Sequence, residues 1–495
     1  MKKHKYVLEA AVFVCGAVVM VFELVGSRIL GPYFGTSIFV WTSLIGIILG
    51  SLSLGYYYGG RVADENPNYK NLAMIIFFSA IFIGLTLFIK DPLLLFLQTN
   101  FADVKVGSAI GAVILFLPTS FLLGMVSPYA VKLKVDNLET SGSTVGDLYA
   151  ISTAGSIIGT FLSGFYLIPQ FGTNRLLVMM TIALVAVSLA ISAKKDFKLR
   201  IVALLLAVVA LGTVDKVAFI SDKDGLVDVD TPYSRIWIYD YTSNAKVKIR
   251  KMGINNENHS SMFLNSDELV NEYTKYYHLA GYFKPDLKKT LMLGGAGYSF
   301  PKDYLLKYPD ATMDVVEIDP KVTELAKKYF NLKDDPRLKI YHEDGRVYLN
   351  KTQEKYDVIF GDAFGSRYSI PYQLTTKEAV RKNYDVLNDD GVVILNIISA
   401  IEGDGGQFLR AEYATYKSIF PQVYFFPVQK PGDGESHQNV ILVALKKDGQ
   451  HPFVDSGDRD IDAYLGHRWK KDIDMDMPVL TDDYAPVDYY ISKAI

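Results

Sequence analysis

The first 214 residues consist mostly of long apolar runs separated by short polar loops. A helix that crosses a lipid bilayer needs about 20 apolar residues, and its backbone satisfies its own hydrogen bonds. The runs that reach or approach this length are 7–27, 38–58, 72–89, 106–129, 147–168, 175–193 and 200–214. The sequence therefore predicts an N-terminal α-helical transmembrane bundle of about seven spans in residues 1–214, with the lipid bilayer as its partner.

Composition excludes two other classes of partner. The chain has 495 residues, a net charge of −3 and one cysteine, Cys15. Its lysines and arginines form no basic stripe, so we expect no nucleic-acid partner. A single cysteine cannot form a disulfide or a cysteine zinc site within one chain, and the seven histidines show no metal-ligand spacing. We therefore predict no bound metal.

Residues 215–265 are predicted to form a linker and a small β-strand subdomain. The stretch 215–232 is polar and rich in aspartate. Three short stretches then alternate between apolar and polar residues, as half-buried strands do; they are 233–241, 246–252 and 261–265. An aromatic-rich helix is expected over residues 267–283, and it carries Tyr277 and His278.

A glycine-rich turn follows the next apolar strand. It contains Gly294, Gly295 and Gly297, and it leads into a predicted helix. A second apolar strand, residues 313–316, ends at Glu317. Strand, glycine turn, helix, strand and acid is the order of a nucleotide-binding βαβ unit, in which the carboxylate accepts the ribose hydroxyls. This unit predicts a nucleoside ligand.

Strands and helices keep alternating to the end of the chain. This alternation predicts a doubly wound, parallel, Rossmann-like sheet for residues 266–495. The stretch 338–349 supplies a third strand that ends at residues 343–345, and the stretch 356–366 supplies a fourth that ends at Asp362. A fifth strand is predicted over 391–398, and further helices over 377–387 and 407–420. Ligands of such sheets bind beyond the carboxyl ends of the strands. The glycine turn, Glu317, Asp344 and Asp362 all fall at such ends, so we expect them to converge on one site.

The stretch from about residue 233 to residue 398 resembles the polyamine aminopropyltransferases, the spermidine synthases. The matching motifs are YSRIWIY, LMLGGAGYS, VVEIDPKVTELAKKYF, DDPRLKIYHEDGRVYL, YDVIFGDAF and LNDDGVVILN. The apolar half, with LYAISTAGSIIGTFLSGF, and the tail LTDDYAPVDYY resemble bacterial membrane-integrated spermidine synthase-like proteins. The resemblance implies a multi-pass protein of the bacterial inner membrane.

The resemblance also implies a cosubstrate and a role for each site residue. The donor would be S-adenosylmethionine or its decarboxylated form, with no permanently bound cofactor. Glu317 would hold the ribose hydroxyls and Asp344 the adenine amino group, while the glycine turn and Gly345 pack against the nucleoside. Asp362 matches the catalytic carboxylate that orients or deprotonates the attacking amine. Residues on the substrate side would be Tyr277, His278 and Tyr368.

Three departures from the family pattern affect the amine side of the site. Gly297 and Gly365 stand where the family usually has aspartates, and Leu279 stands where a glutamate usually follows the Tyr-His pair. The positions that would bind the donor are all kept. The sequence therefore predicts the donor more firmly than the acceptor.

Several functions follow from this reading. The first is transfer of an aminopropyl group to a small amine, with release of methylthioadenosine. The second is methyl transfer from S-adenosylmethionine, or its cleavage or cyclisation without an acceptor. The third is a polyamine or nucleoside transporter or sensor whose soluble domain only binds a ligand. A homodimer is compatible with each of them.

Loop charges bear on which side of the membrane carries the site. Positive residues gather at 1–5, 61–70, 132–134 and 194–200, and the positive-inside rule places all of these loops in the cytoplasm. Seven spans would then leave the C-terminal half outside, although the cosubstrate is made in the cytosol. Three explanations remain open: an eighth crossing, a segment 200–214 that does not cross, or a site that faces outward.

Overall fold

The computed structural model describes residues 6–101, 103–135, 137, 139–191, 197–213, 225–243, 246–255, 257–363 and 370–493. The chain divides into two compact units. One unit comprises Met1–Ser221 and Asp230–Ser234, and the other comprises Asp222–Val229 and Arg235–Ile495.

The first unit is helical. Its α-helices are α1 (Val7–Phe34), α2 (Ile38–Glu65), α3 (Tyr69–Asn100), α4 (Val104–Lys134), α5 (Ser141–Leu162), α6 (Ile168–Ile191) and α7 (Phe197–Thr213). A π-helical turn, Ser163–Leu167, joins α5 to α6. Many apolar side chains stay exposed on these helices, as expected of surfaces that face lipid.

Five stretches of the described chain are long and apolar enough to cross a membrane, where the sequence predicted about seven spans. They are α1, α2, α3, α4 and the continuous stretch Ser141–Ile191. The last of these contains two predicted spans, because the backbone passes through the π-helical turn without a loop and is kinked at Gly172, with φ of 69°. Helix α7 has 17 residues and is shorter than a full span. Seven spans therefore stay a prediction.

Glycines bring pairs of these helices into close contact. A Cβ at Gly155 of α5 would lie 2.1 Å from the carbonyl oxygen of Phe13 in α1. A Cβ at Gly55 of α2 would lie 2.2 Å from the carbonyl oxygen of Phe121 in α4. Small residues allow this backbone approach, which supplies the van der Waals contact that holds helices together in lipid.

The second unit begins with a small four-stranded sheet. Its strands are β1 (Gly225–Asp230), β2 (Arg235–Thr242), β3 (Lys248–Ile254) and β4 (Glu257–Phe263), in that spatial order. The predicted linker 215–232 thus contains a strand, because residues 225–230 pair with β2. The helix expected over 267–283 consists of α8 (Glu272–Lys275), a 3₁₀ turn (Tyr276–His278) and α9 (Leu279–Phe283).

The main sheet has seven strands. They are β5 (Lys289–Leu293), β6 (Thr312–Val316), β7 (Leu338–Tyr341), β8 (Tyr356–Gly361), β9 (Leu387–Ser399), β10 (Gln422–Pro427) and β11 (Gln438–Leu445). The helices around them are α10 (Ser299–Lys307), α11 (Pro320–Tyr329), α12 (Gly345–Lys351), α13 (Lys377–Val386), α14 (Gln407–Lys417), α15 (Arg459–Gly466) and α16 (Val487–Ile491).

The strand order β10-β11-β9-β8-β5-β6-β7 confirms a Rossmann-like C-terminal domain and corrects one detail. The sheet is not wholly parallel, because β11 pairs antiparallel with both β9 and β10. A short loop rather than a crossover helix joins β10 to β11, and such a connection produces an antiparallel pair. The chain runs outward through β5, β6 and β7 and returns at β8, so the switch point lies between β5 and β8.

Candidate active site

The glycine turn leaves β5 at this switch point. Gly294 has φ of 93°, and a Cβ there would lie 2.6 Å from the carbonyl oxygen of Asp362. Two non-glycine residues of the same turn, Ala296 and Tyr298, also adopt left-handed backbone, with φ of 42° and 54°. The hydroxyl of Tyr298 shares a 2.7 Å hydrogen bond with Thr323. Strained backbone of this kind is concentrated at ligand-binding and catalytic sites.

Glu317, at the end of β6, holds the turn in place. Its Oε2 accepts hydrogen bonds from the backbone N–H groups of Gly295 and Ala296, at 2.9 and 3.1 Å, and its Oε1 accepts one from Asp319 at 3.0 Å. Burial raises the pKa of Glu317, while these backbone donors act in the opposite direction. The carboxylate therefore carries three bonds in this structure, and Oε1 has capacity for another donor.

Asp344 is the N-cap of α12. Its Oδ1 accepts hydrogen bonds from the backbone N–H groups of Arg346 and Val347, at 2.8 and 3.0 Å. Both bonds use the same oxygen, so Oδ2 takes no part in the cap. A Cβ at the neighbouring Gly345 would meet Leu293 and Leu374 at 3.6 Å, an ordinary contact distance. Sterics therefore do not explain the glycine at position 345.

Asp362 follows β8 and is enclosed by three polar side chains. Tyr273 donates its hydroxyl to Oδ2 at 3.0 Å, and Asn396 donates Nδ2 to Oδ1 at 3.2 Å. The buried hydroxyl of Tyr277 is the third: it lies close enough to Asp362 to lower the pKa of that carboxyl, although its geometry is not that of a normal hydrogen bond. Burial raises the pKa of Asp362 to about 6, and the hydrogen bonds oppose this shift. A carboxylate with such a pKa is mostly ionised at pH 7 and is a usable base.

A cavity of about 420 Å³ opens beside Asp362. Of the predicted site residues, Gly294, Gly295 and Asp362 line it. The other predicted residues that the structure describes do not line it; they are Gly297, Glu317, Asp344, Gly345, Tyr277 and His278. Glu317 is connected to the cavity through the glycine turn, because its carboxylate binds the backbone of Gly295 and Ala296, which line the cavity.

The cavity wall contains residues that sequence reasoning missed. Asn396, Gln429 and Asn439 line it together with Tyr273. The amide of Asn439 donates Nδ2 to Oδ1 of Asn396 at 3.0 Å, and Gln429 donates Nε2 to Oδ1 of Asn439 at 3.2 Å. One feature of the sequence could have indicated Asn396: it is an asparagine inside the apolar run GVVILNII. A polar residue in a buried strand needs a hydrogen-bond partner.

His278 points away from the cavity. Its Nε2 shares a 2.6 Å hydrogen bond with Oδ2 of Asp303, and its ring packs against Phe300 and Tyr308. Tyr368, the remaining predicted substrate residue, lies outside the described residues, as does Gly365.

Gly297 has no room for a side chain. A Cβ there would lie 2.5 Å from Oγ of Ser260 and 2.8 Å from the ring of Phe330. Both neighbours are held in place: Ser260 shares a 3.1 Å hydrogen bond with Ser299, and Phe330 is fully buried. An aspartate at this position, as in the family pattern, would therefore have to displace these neighbours.

The residues that the structure describes contain no group of three or more His, Cys, Asp or Glu side chains arranged to hold a metal ion.

Comparison with known proteins finds relatives of the C-terminal part of the chain. The family model "Spermine/spermidine synthase domain" matches residues 272–431. The polyamine aminopropyltransferase of Vibrio vulnificus is 34% identical over 166 residues, which are 33% of this chain and 52% of that protein. The chain thus spans about half the length of this relative. Polyamine aminopropyltransferase 2 of Aquifex aeolicus is 23% identical over 412 residues and 78% of each chain.

A solved structure is also similar to this chain. The probable spermidine synthase from Corynebacterium glutamicum is 21% identical and aligns with a TM-score of 0.41, covering 49% of this chain and 86% of that one. Both sequence relatives are named as enzymes. The family match supports the resemblance that the motifs indicate.

Proposed function

We propose that this protein is an integral-membrane transferase of the spermidine synthase type. It transfers an aminopropyl group from decarboxylated S-adenosylmethionine, or a close analogue, to an amine and releases methylthioadenosine. The observation that carries the proposal is Asp362: a buried carboxylate at the switch point of a Rossmann-like sheet, facing a cavity and held by Tyr273 and Asn396.

The chemistry requires a base at this place. An amine is protonated at neutral pH and has no lone pair with which to attack. In the proposed step Asp362 accepts that proton, and the amine nitrogen forms a bond to the carbon next to the sulfonium. The carbon–sulfur bond breaks, and its electron pair leaves with methylthioadenosine. The negative charge of Asp362 also stabilises the cationic donor and orients the amine.

The donor side of the proposal uses the remaining acids. Glu317 accepts the ribose hydroxyls and Asp344 the adenine amino group, while Gly294, Gly295 and Gly345 allow the nucleoside to approach the backbone. The free capacity of Glu317 Oε1 and of Asp344 Oδ2 supports these roles. Gly297 contributes by keeping the turn compact. On the acceptor side, Tyr277, His278 and Tyr368 stay predictions.

The membrane assignment belongs to the same proposal. Five stretches of suitable length and hydropathy support a multi-pass membrane protein, and the motif resemblance suggests the bacterial inner membrane. We propose a small amine and the lipid bilayer as partners, and a homodimer as the assembled form. Sedimentation of the full chain with the membrane fraction after an alkaline carbonate wash is the expected result, and release into the supernatant would contradict it.

Product analysis tests the activity. The purified full chain is incubated with S-adenosylmethionine or its decarboxylated form, each with and without putrescine, and the nucleoside product is identified by mass spectrometry. The expected result is methylthioadenosine that depends on an added amine. S-adenosylhomocysteine as the product would replace aminopropyl transfer by methyl transfer.

A second candidate function is cleavage or cyclisation of S-adenosylmethionine without an acceptor. The packing around Gly297 favours it, because a carboxylate at that position to meet a cationic amine would have to displace its neighbours. Methylthioadenosine formed without any added amine would support this candidate over transfer. Donor binding without any product would instead support a sensor or transporter.

A further inference from the structure

Three amide side chains form a directed chain of hydrogen bonds that ends on Asp362. Asn396 donates to Oδ1 of Asp362 at 3.2 Å, Asn439 donates to Oδ1 of Asn396 at 3.0 Å, and Gln429 donates to Oδ1 of Asn439 at 3.2 Å. In addition, Oε1 of Gln429 accepts from the backbone N–H of Asn439 at 3.1 Å. We refer to Asn396, Asn439 and Gln429 as the amide relay.

The relay determines which end of the Asn396 amide faces Asp362. The side-chain carbonyls of Asn396 and Asn439 each accept from the next amide outward, so each NH₂ group of the relay points toward the aspartate. If Asn396 were reversed, its carbonyl oxygen would face the carboxylate and its NH₂ would face the NH₂ of Asn439. Both contacts would be repulsive, and mismatched polar contacts at a buried side chain destabilise the folded state.

The relay depends on the antiparallel pairing of β9 with β11. Asn396 lies in β9 and Asn439 in β11, and the register pairs Asn439 with Ile398. Asn396 and Asn439 are therefore diagonal neighbours on one face of an antiparallel pair, within reach of each other. Asn396 is 2% exposed, so its own bonds are shielded from water, whereas the outer bond between Gln429 and Asn439 is exposed.

We infer that Asn396, held in orientation by Asn439 and Gln429, is a positioning residue that keeps Asp362 ionised and aligned for proton transfer. The inference rests on the proposed function, because it gives the relay a role only if Asp362 acts as a base. It goes beyond that function by assigning strand β11 and the loop after β10 a part in the reaction.

Other titratable groups also face Asp362. Tyr273 and Tyr277 approach from the segment that begins with α8, and Glu257, His259 and Glu272 line the cavity. Burial and the Asp362 charge raise the pKa of both tyrosines well above 10, and burial lowers the pKa of His259 to about 4. Glu272 is paired with Lys275 at 2.8 Å. Asp362 is therefore the group expected to titrate near pH 6.

The test is the pH profile of kcat/KM for Asn396→Leu and Asn439→Leu in the full-length protein, with donor Kd measured in parallel. A hydrogen bond to a charged group contributes about 1.5–3 kcal/mol, which corresponds to a shift of roughly one to two pH units. We expect the acidic limb of Asn396→Leu to move upward by that amount. Asn439→Leu should move it in the same direction by less, and donor Kd should change less than about twofold. Asn396→Gln keeps an amide donor at this position, so its acidic limb is expected to move by less than that of Asn396→Leu.

Asn388 offers a matched control on the same strand. It donates Nδ2 to Oδ1 of Asp357 at 2.7 Å, which is the same amide–carboxylate pair at the opposite end of β8 and β9. Asn388→Leu should lower stability and leave the acidic limb in place. If the acidic limb of the pH profile stays in place in folded Asn396→Leu or Asn439→Leu, the inference is overturned and the proposed function is unaffected. Absence of any product with the wild-type protein would overturn the proposed function and the inference together.

Discussion

At the scale of single residues, Asp362 is a buried carboxylate that receives hydrogen bonds from neutral side chains. Two neutral donors, Tyr273 and Asn396, satisfy one bond on each carboxylate oxygen, and no cation pairs with Asp362 among the ion pairs of the described residues. Burial therefore prevails over the hydrogen bonds, and its pKa rises to about 6 rather than falling below 3.8. A salt bridge at this place would have produced a carboxylate too weak to accept a proton.

The variant Asp362→Asn keeps the shape of the side chain and removes its charge. We expect kcat to fall by roughly 10²–10⁴, the usual contribution of a general base, while donor Kd stays within about threefold. Turnover by mass spectrometry and binding by calorimetry measure the two effects. Asp357→Asn, at the other end of β8, is the control and should leave kcat unchanged. Wild-type function in Asp362→Asn would favour a binding module.

Gly297→Asp tests whether the missing acid can be restored. The added Cβ would overlap Ser260 and Phe330, so we expect the free energy of unfolding to fall by about 1–3 kcal/mol, without any gain in turnover of the decarboxylated donor. Denaturant unfolding of both proteins measures the change. Gly432, which has open space around it, provides the control Gly432→Asp, expected within about 0.5 kcal/mol of the wild type. Normal stability together with faster turnover would show that position 297 accepts a carboxylate.

At the scale of elements, α14 carries a carboxyl group that the proposed chemistry does not use. Glu412 is 1% exposed, and among the described residues neither of its carboxyl oxygens has a hydrogen-bond partner. It lines a small cavity of about 40 Å³ together with apolar side chains such as Leu293, Ile359 and Phe408. Burial raises its pKa well above 4.5, so the neutral form is favoured in the folded state.

The sign of this shift makes stability depend on pH. Because the pKa of Glu412 is higher in the folded than in the unfolded state, its stabilising contribution is complete below pH 4.5 and is lost as the pH rises through the folded pKa. Glu412→Met removes the carboxyl group at similar size. We expect this variant to be more stable at pH 8 by about 1–3 kcal/mol, with a smaller gain at pH 5.

Thermal unfolding at the two pH values measures this difference. The exposed Glu402, which pairs with Lys471 at 3.0 Å, is the matched control, and Glu402→Met should change stability by less than about 1 kcal/mol. Lower stability of Glu412→Met at both pH values would mean that the carboxyl group has a partner in solution.

At the scale of the whole molecule, the candidate site belongs to one unit. The residues that line the 420 Å³ cavity lie between Glu257 and Asn439, and all of them are in the second unit. The glycine turn, the nucleoside-side acids and the amide relay lie there as well. Nothing in the site geometry requires a side chain from the helical unit.

A truncated chain that begins at residue 222 should therefore keep the activity of the full protein. We expect kcat and donor KM within about threefold, because the first and last strands of the small sheet are both retained. Assays of the two chains side by side give the comparison, with Asp362→Asn in the truncated chain as the background control. A folded but inactive truncated chain would show that the helical unit takes part in the reaction.

Much of the architecture could be predicted from local patterns. Apolar runs identify helices α1 to α6, and the glycine turn and the acids at strand ends identify the switch point, because each pattern depends only on residues close in sequence. The same logic missed β10 and β11, since a strand's direction depends on how its connection is made rather than on its own residues.

Sequence alone thus determined the two-part organisation, the Rossmann-like order and the candidate base Asp362. Only the tertiary structure decided what surrounds that base. Tyr273 and Asn396 are 89 and 34 residues away from it in sequence, and Asn439 reaches it only through the antiparallel edge. Likewise, the exclusion of a side chain at Gly297 arises from Ser260 and Phe330. Contacts between distant segments produce no periodic pattern in the sequence, so they cannot be predicted from local patterns.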